Sequence, residues 1–295
     1  MMLHGVASGS LSPENFERNL SWLGRHFNVV SLSTLIKRQH EHVAPAGEIA
    51  ITFDDGLGNH AKIVYPILKK LQLPATFFVC PGLMERREWL WNHEARARLL
   101  TLSAEGVATL AHSVGAPATG VESVIAWMKT LTLDNRRATE GAICRATPRF
   151  VATAHDRIRF DALTLEELDA LDPNLITIGS HTMNHPILPE LDDAALEYEL
   201  TESRRFLEKR LGRAVDLFCY PNGTNDTRVK AAVAKTYRAA VTTELGFVRL
   251  SHADLHGLPR IGMPESVTAL AWRMWRNKQK VRSSSRYGKQ TRADF

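Results

Sequence analysis

A short apolar segment that ends in two acidic residues and a glycine limits most strongly what this chain can fold into. Residues 49–53 alternate apolar and small or β-branched side chains, which predicts a buried strand. Asp54, Asp55 and Gly56 follow directly, and glycine lets the backbone turn so that both carboxylates reach one cavity. Two carboxylates held this close favour a bound cation. The pattern predicts a metal site with one Asp as ligand and the other as proton acceptor, and a plain Asp-Asp-Gly turn is the alternative.

A pair of histidines follows a second apolar strand, predicted at residues 175–178. His181 and His185 are four residues apart, and on one turn of helix this spacing places both imidazoles on the same face. Pro186 limits such a turn to a short one. Two His and one carboxylate form a common open site for a catalytic divalent metal, so this segment is interpreted as the partner of the Asp pair. Isolated histidines that pack in the core or lie on the surface are the alternative.

Both segments resemble sequence motifs of a known family. Residues 52–56 (Thr-Phe-Asp-Asp-Gly) and 181–186 (His-Thr-Met-Asn-His-Pro) resemble the first two motifs of the NodB-homology polysaccharide deacetylases, carbohydrate esterase family 4. The resemblance extends to residues 75–79 (Ala-Thr-Phe-Phe-Val) and to residues 218–223 (Phe-Cys-Tyr-Pro-Asn-Gly), which are similar to the third motif. It covers roughly residues 45–82 and 160–262, and the stretch between them carries no motif of the family.

Strand and helix patterns alternate along most of the chain. A helix that begins at Pro13, the central strand, a helix after Gly56 and a strand at 75–79 predict parallel pairing with a right-handed crossover. Every candidate functional group follows a strand, which is typical of an α/β barrel with its site at the carboxyl ends of the strands. The resemblance implies a distorted barrel of seven or eight βα units. Residues 83–163 interrupt this alternation and are interpreted as a helical insertion within a single domain of residues 1–272.

Composition bounds the class of protein. The chain has 295 residues, 44% of them hydrophobic, which supports a sizeable core and excludes a disordered protein. No apolar run is long enough for a transmembrane helix, and the N-terminus lacks a charged region followed by an apolar run. Three scattered cysteines do not form a disulfide framework. These features predict a cytoplasmic enzyme.

The positive charge of the chain is concentrated at its C-terminal end. Residues 273–295 contain eight Lys and Arg against one acid, Asp294, whereas the whole chain has a net charge of +5. We predict a basic, disordered tail, which is either inert or in peripheral contact with anionic membrane. The tail has no recognition module for nucleic acid, so nucleic acid is not expected as a partner.

The resemblance also implies roles for particular residues. Asp55, His181 and His185 would bind a divalent metal, with zinc the expected ion, and Asp54 would be the general base. The turn from Tyr220 to Asn222 would aim the backbone N–H of Asn222 at the oxyanion.

The general acid and the partner of the base are less clearly marked in the sequence. The family's Leu-x-His-Asp pattern is absent, and the candidate acids are His252 and His256, of which His256 fits better. A histidine in a surface loop is the alternative for His256. Cys219 stands where many relatives place an arginine that orients the base. Arg260 could supply that guanidinium from another strand end and pair with Asp54, and a solvated loop arginine is the alternative.

A metal, a base and an acid together predict hydrolysis of an N-acetyl group from an amino sugar. The expected substrate is a surface polysaccharide or its nucleotide- or lipid-linked precursor, so an N-acetylated saccharide is the expected partner. Hydrolysis of another C–N bond, in an amide or imide, is a second possibility. A non-catalytic carbohydrate-binding or assembly protein on the same fold is the rival from another class.

Overall fold

A seven-stranded parallel sheet forms the centre of the molecule in the computed structural model, which describes residues 1–6, 11–41, 47–248 and 254–276. The strand order in this sheet is β1-β4-β5-β6-β7-β8-β9, and a separate parallel pair joins β2 to β3. The strands are β1 Met2–Leu3, β2 Asn28–Val29, β3 Glu48–Ile49, β4 Thr52–Phe53, β5 Ala75–Val79, β6 Ile176–Ser180, β7 Leu217–Cys219, β8 Ala239–Leu245 and β9 Leu258–Arg260.

The sheet curves until its two edges nearly meet. Beyond β9, a parallel bridge joins Gly262 to Met2 of β1, and the backbone N–H of Met2 donates to the carbonyl of Ile261 at 2.9 Å. All six strand pairings of this sheet run parallel, so the carboxyl ends of the strands lie at one rim. The predicted distorted α/β barrel is therefore confirmed, with seven strands.

Twelve α-helices connect or cover these strands within the described residues. They are α1 Pro13–His26, α2 Leu32–His40, α3 Tyr65–Leu71, α4 Pro81–Arg86, α5 Trp91–Leu99, α6 Ala104–Ser113, α7 Val121–Met128, α8 Leu133–Ala146, α9 Ala154–Phe160, α10 Leu165–Asp169, α11 Asp193–Leu211 and α12 Thr227–Thr236. A thirteenth helix covers residues 267–276, so the first four residues of the predicted tail, 273–276, are helical, and residues 277–295 of that tail lie outside the described residues. No described helix is long and apolar enough to cross a bilayer.

Local sequence signals account for several of these helices. Ser12 caps α1 and Pro13 occupies its first turn, where proline lacks only an N–H that would be unpaired anyway. Thr164 and Glu167 form the predicted capping box of α10. Gly212 ends α11 in the left-handed conformation, with φ of 63°.

The central strand is shorter than predicted. The sequence indicates one strand over residues 49–53, but Ile49 pairs with β2 in the small sheet, whereas Thr52 and Phe53 pair in the barrel. Ile49, Ile51 and Phe53 are all buried, so the apolar pattern is correct although the pairing changes partner midway.

The stretch between β5 and β6 contains α4 to α10. Helices α5 to α8 share their own apolar cluster, which includes Leu99, Leu110, Ile125 and Ile143. Burial of these side chains gives the helices a core that does not depend on the barrel core. This packing places the ends of α5 and α7 firmly beside the barrel rim.

Candidate metal centre

Asp54 and Asp55 reach the same cavity because the backbone turns sharply after β4. Asp55 has φ of 75° and Gly56 has φ of 64°, both in the left-handed region. Aspartate tolerates this region better than most residues, and glycine adopts it without steric cost. A Cβ at position 56 would lie 3.0 Å from Val79, so glycine also permits a close approach to β5. The two carboxylates are buried, 2% and 5% exposed.

Asp55 and the two predicted histidines form a cluster with the geometry of a metal site. Oδ1 of Asp55 lies 3.4 Å from Nε2 of His181 and 3.5 Å from Nε2 of His185. One ligand atom from each residue lies within 4.8 Å of the others, and all three residues are buried. A carboxylate and two imidazole nitrogens are the mixed N/O donors that suit zinc and related divalent ions. The three side chains therefore fit such an ion.

The surroundings of the two histidines support a ligand role. Nδ1 of His181 lies 2.7 Å from the carbonyl oxygen of Cys219, which can only accept a hydrogen bond. Nδ1 therefore carries a proton, and Nε2 faces Asp55. Burial opposes the charged form of His181, but Cys219 and the contact with Asp55 outweigh burial and raise the pKa of His181 well above its usual range, so a bound ion would take the place of the Nε2 proton. Burial lowers the pKa of His185 to about 3, with smaller contributions from nearby charges, so this imidazole is neutral at pH 7. A neutral imidazole is the form that binds metal.

The backbone between the two histidines is not the helical turn that the spacing predicts. Thr182 and His185 have φ of 69° and 56°, and the segment forms bends rather than helix. The buried carboxylate of Glu199 on α11 accepts hydrogen bonds from the backbone N–H groups of Met183 and Asn184, at 2.8 and 2.9 Å. These bonds favour an open loop over a helical turn. The loop still brings the imidazole centroids within 4.8 Å.

Asp54 is held apart from this cluster by Arg260 at the end of β9. The guanidinium forks onto the carboxylate, with both N–O distances at 2.7 Å, so the predicted ion pair is present. Its remaining donors bond the hydroxyl of Thr52, the carbonyl of Thr242 and the sulfur of Cys219. Burial alone raises the pKa of Asp54, but the charge and hydrogen bonds of Arg260 outweigh burial, and the pKa is lowered. Asp54 is therefore ionised at neutral pH.

A cavity of about 400 Å³ lies over these groups. Tyr220 and Asn222 line it as predicted for a site at this rim, and Asn222 has φ of 55°. The hydroxyl of Tyr220 points elsewhere, because it donates to the carbonyl of His256 at 2.8 Å. Nδ2 of Asn222 is buried without a hydrogen-bond partner among the described residues.

His256 is not brought to this cavity. Its Nε2 lies 2.9 Å from the carbonyl of Tyr237, and the residue lines a different cavity together with Lys230 and Asp254. The other candidate acid, His252, lies outside the described residues. The described geometry gives no support to His256 as the general acid. Its ring contacts the backbone carbonyl of Tyr237, and its own carbonyl accepts the hydrogen bond from the hydroxyl of Tyr220.

Six residues that the sequence did not single out also line the cavity. His4 follows β1, Thr243 lies on β8, and four others come from the stretch between β5 and β6: Asn92, His93, Arg96 and Lys129. Nε2 of His93 lies 3.9 Å from Oδ2 of Asp55. No local pattern marks these residues, because polar side chains on short helices are normally interpreted as a solvated face. Only the packing of α5 and α7 against the barrel rim reveals their place.

A parallel barrel with an Asp-His-His cluster and a second, clamped Asp at the carboxyl ends of its strands defines the general class. Such proteins carry a candidate metal centre on a barrel scaffold, with the site at the rim where strands end. Comparison with known proteins then identifies the family within that class.

The chain belongs to the polysaccharide deacetylase family, because the sequence profile of that family matches residues 42–240. YxkH from Bacillus subtilis (strain 168) is 22% identical over 256 residues, a match that covers 83% of this chain and 64% of YxkH. The chain thus spans less than two thirds of the length of that relative.

Solved structures share the fold at low sequence identity. The Streptococcus pyogenes deacetylase PplD has a TM-score of 0.64 at 19% identity, and the match covers 93% of this chain and 96% of PplD. BC0361, a polysaccharide deacetylase from Bacillus cereus, has a TM-score of 0.60 at 19% identity, with 92% and 67% of the two chains covered. At this identity the likeness establishes the fold alone.

Proposed function

We propose that this protein is a metal-dependent hydrolase that removes the N-acetyl group from an amino sugar of a surface polysaccharide or its precursor. One observation carries the proposal: a buried Asp55-His181-His185 cluster lies beside a second carboxylate, Asp54, which an arginine holds out of that cluster. Membership of the polysaccharide deacetylase family supports the substrate class.

The two carboxylates have different tasks in this proposal. Asp55, His181 and His185 hold the divalent ion, for which zinc suits the donor set. When bound, such an ion acidifies a water molecule and polarises the acetamide carbonyl. Asp54 accepts the proton of the attacking water as general base. Arg260 fixes the carboxylate of Asp54 through its fork and keeps it ionised for that step.

The remaining steps use groups at the same rim. The turn that contains Tyr220 and Asn222 provides a backbone N–H for the developing oxyanion. The leaving amine needs a proton, and Asp54 returns the one that it took from water, since His256 lines a different cavity. The balance is then complete: the C–N bond breaks, water supplies hydroxide to the acyl carbon and a proton to the amine, and acetic acid departs and ionises to acetate at neutral pH.

The experiment combines metal analysis with acetate release from a panel of N-acetylated saccharides. Asp54→Asn is expected to keep the metal and lose turnover, whereas Asp55→Asn is expected to lose metal and turnover together. Asp169→Asn is the matched control: Asp169 is an exposed partner of Arg210, so metal binding and turnover should both be unchanged. Near-normal acetate release by Asp54→Asn would remove the general-base role. Absence of acetate release from every saccharide by the metal-loaded wild type would overturn the proposed function.

We further propose that the protein makes peripheral contact with anionic membrane. The helix over residues 267–276 exposes Trp272 and Trp275, 59% and 52% exposed, and their rings stack with centroids 5.0 Å apart. Tryptophan favours the interface between lipid and water. The basic sequence that begins at Arg273 adds attraction to anionic headgroups, and apolar anchors and basic residues together bind membranes better than either alone.

Co-sedimentation with vesicles tests this contact. Wild-type protein should pellet with phosphatidylglycerol vesicles and not with phosphatidylcholine vesicles, and salt should weaken the pelleting. The double variant Trp272→Ser, Trp275→Ser and a truncation after Asn277 should each bind less. Tyr198→Ser on α11, 51% exposed, is the control. Equal pelleting of all four proteins would contradict the proposal. Cytoplasmic location stays a prediction, which cell fractionation tests.

A further inference from the structure

One wall of the cavity comes entirely from the helical stretch between β5 and β6. Asn92, His93 and Arg96 lie on α5, and Lys129 follows the last residue of α7. Helices α5 and α7 pack against each other through Leu99, Val124 and Ile125. The four polar residues therefore form a rigid surface, named here the insertion wall, beside the Asp-His-His cluster.

The charges on the insertion wall do not cancel. Nε and Nη2 of Arg96 fork onto Glu122 at 2.6 and 2.9 Å, which neutralises that guanidinium. The ammonium group of Lys129 makes no hydrogen bond or ion pair within the part of the chain that the structure describes. The side chain of Lys129 lines the same cavity as Asp55, His181 and His185. The wall thus presents one uncompensated positive charge toward the cavity.

The other charges around the cavity do not offset Lys129. The carboxylate of Asp54 is already paired with Arg260, and Asp55 belongs to the candidate metal cluster. The wall also offers uncharged polar groups: Asn92 is 8% exposed, and its Oδ1 has no hydrogen-bond partner among the described residues. An amide acceptor beside a free ammonium group is suited to a ligand that combines hydroxyl groups with a negative charge.

We propose that the insertion wall is an anion subsite, in which Lys129 binds a phosphate or carboxylate of the substrate near the acetamide that reacts. This inference rests on the proposed function and narrows its substrate class to acidic amino-sugar compounds. Two sources carry this chemistry: the diphosphate of a nucleotide- or lipid-linked sugar, and the carboxylate of a neighbouring uronic acid. A partly buried charge-assisted contact discriminates between charged and neutral ligands, whereas an exposed one is screened by water and salt.

Binding to a metal-loaded Asp54→Asn variant tests the subsite independently of turnover. Three ligands are compared by calorimetry: a neutral oligomer of N-acetylglucosamine, UDP-N-acetylglucosamine, and an oligomer that alternates N-acetylglucosamine with glucuronate. At least one acidic ligand should bind about 10- to 100-fold more tightly than the neutral one, and added Lys129→Gln should remove most of that preference. The tighter of the two acidic ligands identifies phosphate or carboxylate as the anion.

Charge reversal and a matched lysine complete the design. Lys129→Glu should bind the neutral oligomer in preference to both acidic ligands. Lys230→Gln removes the same charge from a lysine that is paired with Asp254 outside this cavity, and the preference should be unchanged. Equal affinity for acidic and neutral ligands, or a preference that survives Lys129→Gln, would overturn the anion subsite. Because binding is measured without turnover, failure of the proposed function would show separately, as absence of acetate release by the wild type.

Discussion

Replacing Arg260 with methionine tests how this chain holds its candidate base. The guanidinium uses all five N–H donors, on Asp54, Thr52, Thr242 and Cys219. Methionine keeps an extended apolar side chain but removes the charge and every donor, so Asp54 stays buried without a counter-ion. Removal of one partner from a buried ion pair costs about 3–5 kcal/mol. We expect the free energy of unfolding to fall by about this amount, a large part of the roughly 5–15 kcal/mol of a typical domain.

Urea denaturation followed by tryptophan fluorescence measures this loss, and Arg210 provides a matched control. Arg210 contacts Asp169 through Nε and Nη2 at 3.0 and 2.6 Å, so it also makes two hydrogen bonds to one carboxylate, but on the surface. Water screens exposed pairs, so Arg210→Met should change stability little. The double variant Asp54→Asn, Arg260→Met removes the uncompensated charge and should recover part of the lost stability while it remains inactive.

Arg260→Lys separates charge from geometry. Lysine retains a positive charge but cannot fork onto a carboxylate. We expect Arg260→Lys to be more stable than Arg260→Met and still to lose most of its turnover, because Asp54 is no longer held in one orientation. Equal losses of stability in Arg260→Met and Arg210→Met would refute the reasoning. So would a double variant as unstable as Arg260→Met, since the loss would then come from packing rather than from a stranded charge.

Three further predictions concern other parts of the molecule. Purified protein should bind about one divalent ion per chain by mass spectrometric metal analysis, and the double variant His181→Ala, His185→Ala should bind none. Burial lowers the pKa of His60 to about 4. As the pH falls, this histidine is therefore protonated in the unfolded chain before it is protonated in the folded one. His60 alone should thus lower the free energy of unfolding by about 2–3 kcal/mol between pH 7 and pH 4.5. Gly179→Ala should cost about 1–3 kcal/mol in urea denaturation, because a Cβ there would lie 2.5 Å from the ring of Phe78.

Each of these predictions has a control. Metal retained in full by the double histidine variant would show that other residues are the ligands. His60→Gln cannot gain a proton in this range, so its stability should vary less with pH than that of wild type, and an identical pH profile would contradict the assignment. Gly24 lies in a helix, and a Cβ there would lie 3.5 Å from its nearest neighbour, so Gly24→Ala should be neutral or slightly stabilising. A loss as large as that of Gly179→Ala would contradict the steric argument.

Sequence reasoning locates the strand-end residues well because their signals are local. An apolar strand followed by Asp-Asp-Gly, and another followed by two histidines, require only short-range patterns, and the structure brings Asp55, His181 and His185 together. The helical turn predicted for residues 181–185 is wrong because Glu199, on a later helix, holds the loop open. A contact of this kind depends on tertiary packing and leaves no local trace.

The position of the insertion wall could not be predicted from the sequence. Lys129 and His93 have no motif around them, and their helices could equally face solvent. Both residues line the cavity beside Asp55 only in the folded chain, so their place requires knowledge of how distant elements pack. Arg260 is intermediate: the sequence offers it as the partner of Asp54, with a solvated loop arginine as the alternative, and the folded barrel shows the pair.

The 206 residues that separate Asp54 from Arg260 affect how the protein is made. At about 5–20 residues per second, a ribosome needs about 10–40 s to reach the arginine after it has added the aspartate. Throughout that interval the nascent chain contains the carboxylate of Asp54, which is buried in the folded protein, but does not yet contain its counter-ion Arg260. A product that stops before β9 contains Asp55, His181 and His185 but lacks Arg260. Protein synthesis therefore adds all three candidate metal ligands well before it adds the arginine that holds the base.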